Sequence, residues 1–97
     1  MPAYVFAGNT VTDIALMGEY AKLVPATLEP FDGKFVVRGG QCEGVEGQSR
    51  PRNIVVEFPS YQTALDCYRS EAYQKARQIR LPVSTLDLVI VEGPPDT

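Results

Sequence analysis

Apolar positions recur along this chain with two different periods, and the switches between them mark out its elements. Ala3–Ala7 is rich in aromatic and β-branched residues and reads as a strand. Its faces, Ala3, Val5, Ala7 and Tyr4, Phe6, are both apolar, so both need cover; Gly8-Asn9 is read as its end. Ile14, Met17, Ala21, Val24 and Leu28 then alternate three- and four-residue steps, the stripe of a helix lying on a core. Thr12 or Asp13 can cap it by accepting orphan backbone N–H bonds. Pro25 removes one helical hydrogen bond and predicts a kink or a second short helix; Pro30 and Asp32-Gly33 close the segment.

A period of two returns in Lys34–Arg38, where Phe35 and Val37 alternate with Lys34, Val36 and Arg38. Gly39-Gly40 ends or bends this strand, and a loop with Cys42, Glu43, Gly44, Glu46 and Gly47 leads to Pro51. Arg52–Phe58 is the next strand, with Ile54, Val56, Phe58 on one face and Asn53, Val55, Glu57 on the other. Ser60 is a natural N-cap for a helical region carrying Tyr61, Leu65, Tyr68, Ala72, Ala76 and Ile79 on one side. Ser70-Glu71 falls inside it and can restart the helix through a new cap. Pro82 ends the helix, and Leu86–Val91 (LDLVIV) is the last strand, before a Gly-Pro-Pro tail that cannot continue a ladder.

The order β-α-β-β-α-β predicts an α+β fold. A split βαβ arrangement obeys the right-handed crossover rule and gives a four-stranded antiparallel sheet with two helical regions on one face. At 97 residues the chain, 1–97, is a single domain. Helices on one face leave Val, Phe, Ile or Tyr side chains on the other, and a second copy is the simplest cover. The expectation is a homodimer through the sheet faces.

Composition adds mostly exclusions. An apolar share of 44% and a charged share of 22% are those of a globular chain. The formal net charge is -3, and Arg50 with Arg52 is the densest basic spot, suited to solvent or anion contacts. No basic stripe could neutralise several phosphates, so no nucleic-acid partner is expected. Cys42 and Cys67 lack zinc spacing, there is no His, and Glu43 and Glu46 lack calcium-loop spacing; no metal or other cofactor is expected. No signal-like or membrane-spanning apolar run is present, and the expected compartment is the cytoplasm.

The same residues carry a resemblance. YVFAG, VTD, EYAKLVPATLEPFDGKFVVRGG, the RP–VVEFPS run and SEAYQKAR–LVIVEG follow in order with the expected separations. By these the chain, from Ala3 to Gly93, is similar to the DUF1330 family within the dimeric α+β barrel superfamily. The resemblance implies a ferredoxin-like subunit and a homodimer whose two sheets form a barrel. It marks Tyr20, Arg38, Gly39, Gly40, Glu57, Phe58, Tyr68, Ser70 and Tyr73 as the family's recurrent positions. The superfamily includes cofactorless oxygenases, isomerases of small lactones and haem-degrading enzymes. These commonly use a histidine, which this chain lacks.

Among candidate site residues, Arg38 precedes Gly39-Gly40, where backbone can approach a ligand closely, and its guanidinium suits a small carboxylate. It equally suits an ion pair with Glu57 or with a partner chain. Glu57, the one carboxylate within the central strand pair, is the candidate proton acceptor. Tyr20, Tyr68 and Tyr73 can line a cavity between helices and sheet, offering apolar area and hydroxyls, or can be core residues with hydroxyls at the rim. Ser70 has no His or Lys placed to activate it. Two functions fit: a homodimer binding a small organic acid near Arg38, or a cofactor-independent isomerase or oxygenase in which Glu57 or a tyrosine handles a proton.

Overall fold

The computed structural model describes residues 1–95. Strand β1 (Ala3–Val11) leads to helix α1 (Ile14–Leu28), a short 3-10 turn and β2 (Lys34–Arg38). After a long loop come β3 (Arg52–Phe58), helices α2 (Tyr61–Arg69) and α3 (Glu71–Arg80), a second 3-10 turn and β4 (Ser84–Glu92). The sheet order is β2-β3-β1-β4 and every pairing is antiparallel.

One expectation is overturned here. β2 and β4 are the outer strands and are not bonded to each other, so the sheet is open and does not close into a barrel. Closure needs strands tilted and staggered until first and last pair. In this chain α2 touches both β3 and β4 across one face of the sheet instead, and the helices cover that face without joining its edges.

Local chemistry explains most boundaries. Asp13 caps α1, its side chain accepting from Leu16 N–H at 3.1 Å. The helix continues through Pro25 to Leu28 rather than restarting there. Asp32, at φ 55°, ends the following turn in the left-handed region. Ser70 does restart the second helical region: it is extended (ψ 150°), closes α2 and caps α3, accepting from Tyr73 N–H at 3.3 Å. That break shifts the helical phase, so the buried residues are Ala64 and Cys67, then Tyr73, Ala76 and Arg80, while Tyr61 and Ala72 are exposed. Of the stripe expected beyond Ser70, Ala76 is buried and Ile79 packs against the core, whereas Ala72 is exposed.

Two differences in the strands matter for the site. β1 runs past Gly8-Asn9 to Val11, because Asn9 and Val11 keep the alternation of Ala3, Val5 and Ala7 and pair with Leu86 and Ser84. β2 holds a bulge: Phe35 faces Val56, Val37 faces Val55 and Arg38 faces Ile54, leaving Val36 as the extra residue. The bulge puts Phe35 and Arg38 on the helix-facing side and Val37 on the other.

The helix-facing layer packs as two clusters. One joins Ala3, Leu28, Val56, Phe58, Ala64 and Cys67; the other joins Met17, Tyr20, Tyr73 and Ala76. On the uncovered face a single register line crosses all four strands, Val37–Val55–Phe6–Val89. Phe6 is 44% exposed and Val89 53%. Tyr4 and Val91 pair beside this line, so the uncovered face carries a continuous apolar band.

Candidate functional site

Where the two core clusters meet, between α1 and the sheet, there is a cavity of about 80 Å³. That is room for more than one water. Its walls are apolar, with Val5, Ala7, Val24, Leu28, Ile54, Val56, Phe58 and Leu88 among them. Its polar groups are Asn9, Arg38, Arg52 and the three tyrosines Tyr20, Tyr68 and Tyr73. Among the described residues lining it there are two arginines and no carboxylate, in a chain whose net charge is -3. The cavity is therefore an electropositive spot on an acidic protein.

The tyrosines form one unit. Tyr20, from α1, and Tyr73, from α3, are buried with their hydroxyls 2.9 Å apart. Their rings meet edge to face, with centroids 6.3 Å apart, and Tyr68 packs against Tyr73 at 5.3 Å. Arg80, the last residue of α3 and 4% exposed, lies behind them. It donates to the Tyr73 hydroxyl at 3.5 Å, and its guanidinium lies 5.4 Å from the centre of the Tyr20 ring. Burial, and then Tyr73 beside it, hold the Tyr20 phenol well above its ordinary range. Tyr20 is thus neutral and suited to donate a hydrogen bond; it is no proton acceptor at working pH.

The strand residues complete the cavity. Exposed Arg38 forms part of the rim, its guanidinium 4.2 Å from the centre of the Phe35 ring, an arrangement that depends on the β2 bulge. Arg52 and Asn9 stand opposite each other on β3 and β1. Asn9 is 1% exposed, and neither atom of its amide has a hydrogen-bond partner among the described residues; Arg52 Nε is buried and likewise without one.

The other candidates lie elsewhere. Glu57 points to the uncovered face, where it accepts from the Tyr4 hydroxyl at 2.9 Å and stands opposite Lys34. The sheet separates it from Arg38, so the two neither pair nor share the cavity. Gly39 and Gly40, at φ 75° and 98°, end β2, and Gly39 N–H donates to Asn53 O at 2.9 Å. They do not line the cavity. Ser70 Oγ is committed to capping and donates to Cys67 O at 2.7 Å. Burial pushes the Cys67 thiol up to about 11, and Cys42 is an exposed free thiol. Asp87 binds Arg50 at 2.7 Å on the uncovered face.

Sequence reasoning missed Asn9, the site role of Arg52, and Arg80. Asn9 was hidden by Gly8, since Gly-Asn is a turn dipeptide; the alternation continuing to Val11 is the signal that finds it. Arg80 lies one turn beyond Ala76 on the buried side of α3, where its charge reads as solvent-facing. No group of three or more His, Cys, Asp or Glu that could hold a metal ion occurs among the described residues, and no helix there is long and apolar enough to cross a membrane.

The fold is shared with solved structures of low sequence identity. An RPA0582 protein of unknown function from Rhodopseudomonas palustris is 15% identical with a TM-score of 0.78, covering 97% of this chain and 83% of its own. A dimeric ferredoxin-like protein of unknown function from Jannaschia is 11% identical with a TM-score of 0.75, covering 96% of this chain and 100% of its own. SnoaB, a cofactor-independent oxygenase from Streptomyces nogalater, is 10% identical with a TM-score of 0.57, covering 97% and 94%. Among curated proteins none matches. The model of the domain of unknown function DUF1330 matches residues 2–94, nearly the whole chain. This protein belongs to the DUF1330 family.

Proposed function

We propose that this protein is a cofactor-independent oxygenase of small, mainly apolar organic molecules that react through an enolate or phenolate. The observation that carries the reading is the Tyr20–Tyr73 hydroxyl pair at 2.9 Å in a cavity lined by two arginines and no carboxylate. Neutral donors and cations lining an apolar space favour negative charge on a substrate oxygen. They need no reorganisation when that charge develops. The likeness in fold to SnoaB, a cofactor-independent oxygenase, supports the same reading.

The chemistry then follows from the substrate. A phenol or enol enters neutral and gives up its proton to water inside the site, because no base lines the cavity, so the negative charge on its oxygen develops there. The electron-rich carbon of the anion is oxidised by dioxygen. For an activated CH₂ the balance is CH₂ + O₂ → C=O + H₂O, with one oxygen atom retained and the other leaving as water. The protein's part is to hold the anion and to exclude competing water from most of the apolar wall. The test is oxygen uptake by metal-stripped protein with a panel of phenols and activated cyclic ketones, using labelled dioxygen. The expected result is incorporation of one labelled atom per turnover, unchanged by chelators. Tight binding of the panel without oxygen uptake would support the second reading.

That second reading is a binding protein for small organic acids, and the two cavity arginines favour it. Arg38 at the rim and Arg52 within offer a carboxylate two guanidinium groups.

The proposal includes a homodimer packed through the uncovered sheet face, in a cytoplasmic setting where Cys42 and Cys67 stay reduced. The band through Val37, Val55, Phe6 and Val89 supports it. So does the fold shared with the dimeric protein from Jannaschia.

A further inference from the structure

We infer that Asn9 and Arg52 form a subsite that reads two adjacent oxygens on the substrate, one carrying a hydrogen and the other anionic or carbonyl. This deepens the proposed function and rests on the tyrosine cavity being where a substrate oxyanion binds. The substrate class is a small ring or short apolar body with a vicinal hydroxyl and oxyanion, as in an ortho-diphenol or an α-hydroxy ketone.

Asn9 is the largest fully buried side chain in the described chain and lines the cavity, yet both its amide nitrogen and its amide oxygen lack partners. Leaving either buried atom unpaired costs about 1–3 kcal/mol. Natural cores keep such groups rare, and each one calls for an explanation. An amide holds a donor and an acceptor side by side in one plane. Its natural complement is therefore a donor and an acceptor side by side on the ligand. Because both atoms are free, rotating the amide by half a turn changes nothing in the protein, and the inference does not depend on how it is placed.

Arg52 supplies the charge. It faces Asn9 across the β1–β3 ladder, so the two side chains are nearest neighbours on one side of the sheet. Its unpartnered, buried Nε offers one more donor beside the amide. Two donors and one acceptor fit an anionic oxygen next to a hydroxyl. A lone carboxylate satisfies both donors but leaves the Asn9 oxygen without a proton to accept. A lone phenolate does the same.

The test compares catechol, resorcinol and phenol by calorimetric titration of the full-length protein without dioxygen. These probes share the ring, and only catechol has adjacent oxygens. The expected result is that catechol binds at least ~10-fold tighter than resorcinol or phenol, the value of one well-made polar pairing. Asn9→Leu brings catechol down to the affinity of resorcinol and phenol measured on the same variant, which removes the preference. Leucine takes away two unpaired polar atoms, so this variant is expected to fold, and circular dichroism checks that it does. Equal binding of catechol, resorcinol and phenol overturns the inference, assigns the Asn9 amide to a buried water, and leaves the function reading standing. A catechol preference that survives in Asn9→Leu overturns it too. If none of the three binds, the function reading fails with it.

Discussion

Tyr20→Phe lowers turnover of an accepted phenol about 100-fold, with KM within a few-fold of the parent. Removing one hydrogen-bond donor to a developing oxyanion costs about 10²–10³ in kcat. The ring stays, so the edge-to-face contact with Tyr73 and the apolar wall are kept. Tyr73→Phe acts in the same direction by a second route: it leaves Tyr20 without its hydroxyl partner and Arg80 without the oxygen it donates to. The double variant falls little further than the worse single one, because groups acting as a unit are not additive. Steady-state oxygen uptake measures all three. A rise in KM with unchanged kcat would instead mean that the tyrosines only bind.

Phe6→Asp converts the protein to a monomer at micromolar concentration, with the dimer dissociation constant raised at least ~100-fold. Phe6 is the centre of the apolar line, flanked by Val55 on one side and Val89 on the other. Burying about 400 Å² of such surface per chain contributes on the order of 10 kcal/mol at 25 cal/mol per Å², against association costs of about 4–15 kcal/mol. Loss of one large aromatic therefore decides the balance, and burying an unpaired carboxylate from each chain adds a desolvation cost. Sedimentation equilibrium reads the outcome. Because Phe6 points away from the helices, the fold and the cavity are left intact; a parent protein that is already monomeric would remove this part of the account.

Much of the fold is legible in the sequence because period, caps and breakers agree. Ile14 to Leu28 gives the first helix, Ser70 restarts the second helical region, and one uncovered apolar face follows from helices on one side. What the sequence conceals is phase. A bulge at Val36 changes which face Arg38 occupies, and nothing in KFVVR signals it. Charge misleads too: Arg80 is buried one turn beyond Ala76. Sheet closure is also not written in a strand pattern: it is decided by whether the outer strands meet, and β2 and β4 do not. Of the candidate site, Arg38, Tyr20, Tyr68 and Tyr73 come together at the cavity, whereas Gly39 and Gly40 serve the β2 turn and Glu57 the opposite face. Asn9 was masked by a local turn signal that strand pairing on both sides overrode.

The central claim is that the cavity stabilises an anionic oxygen. The most direct measurement is the ionisation of bound 4-nitrophenol, followed by absorbance across pH with protein in excess. Burial alone raises the midpoint of a phenol, whereas cations and neutral donors lower it. With Arg38 and Arg52 in the lining, the Tyr20–Tyr73 pair and no carboxylate, the bound probe is expected to ionise at least about one pH unit below its midpoint in free solution, about 1.4 kcal/mol in favour of the anion. A bound probe whose midpoint stays put or moves upward would contradict the account.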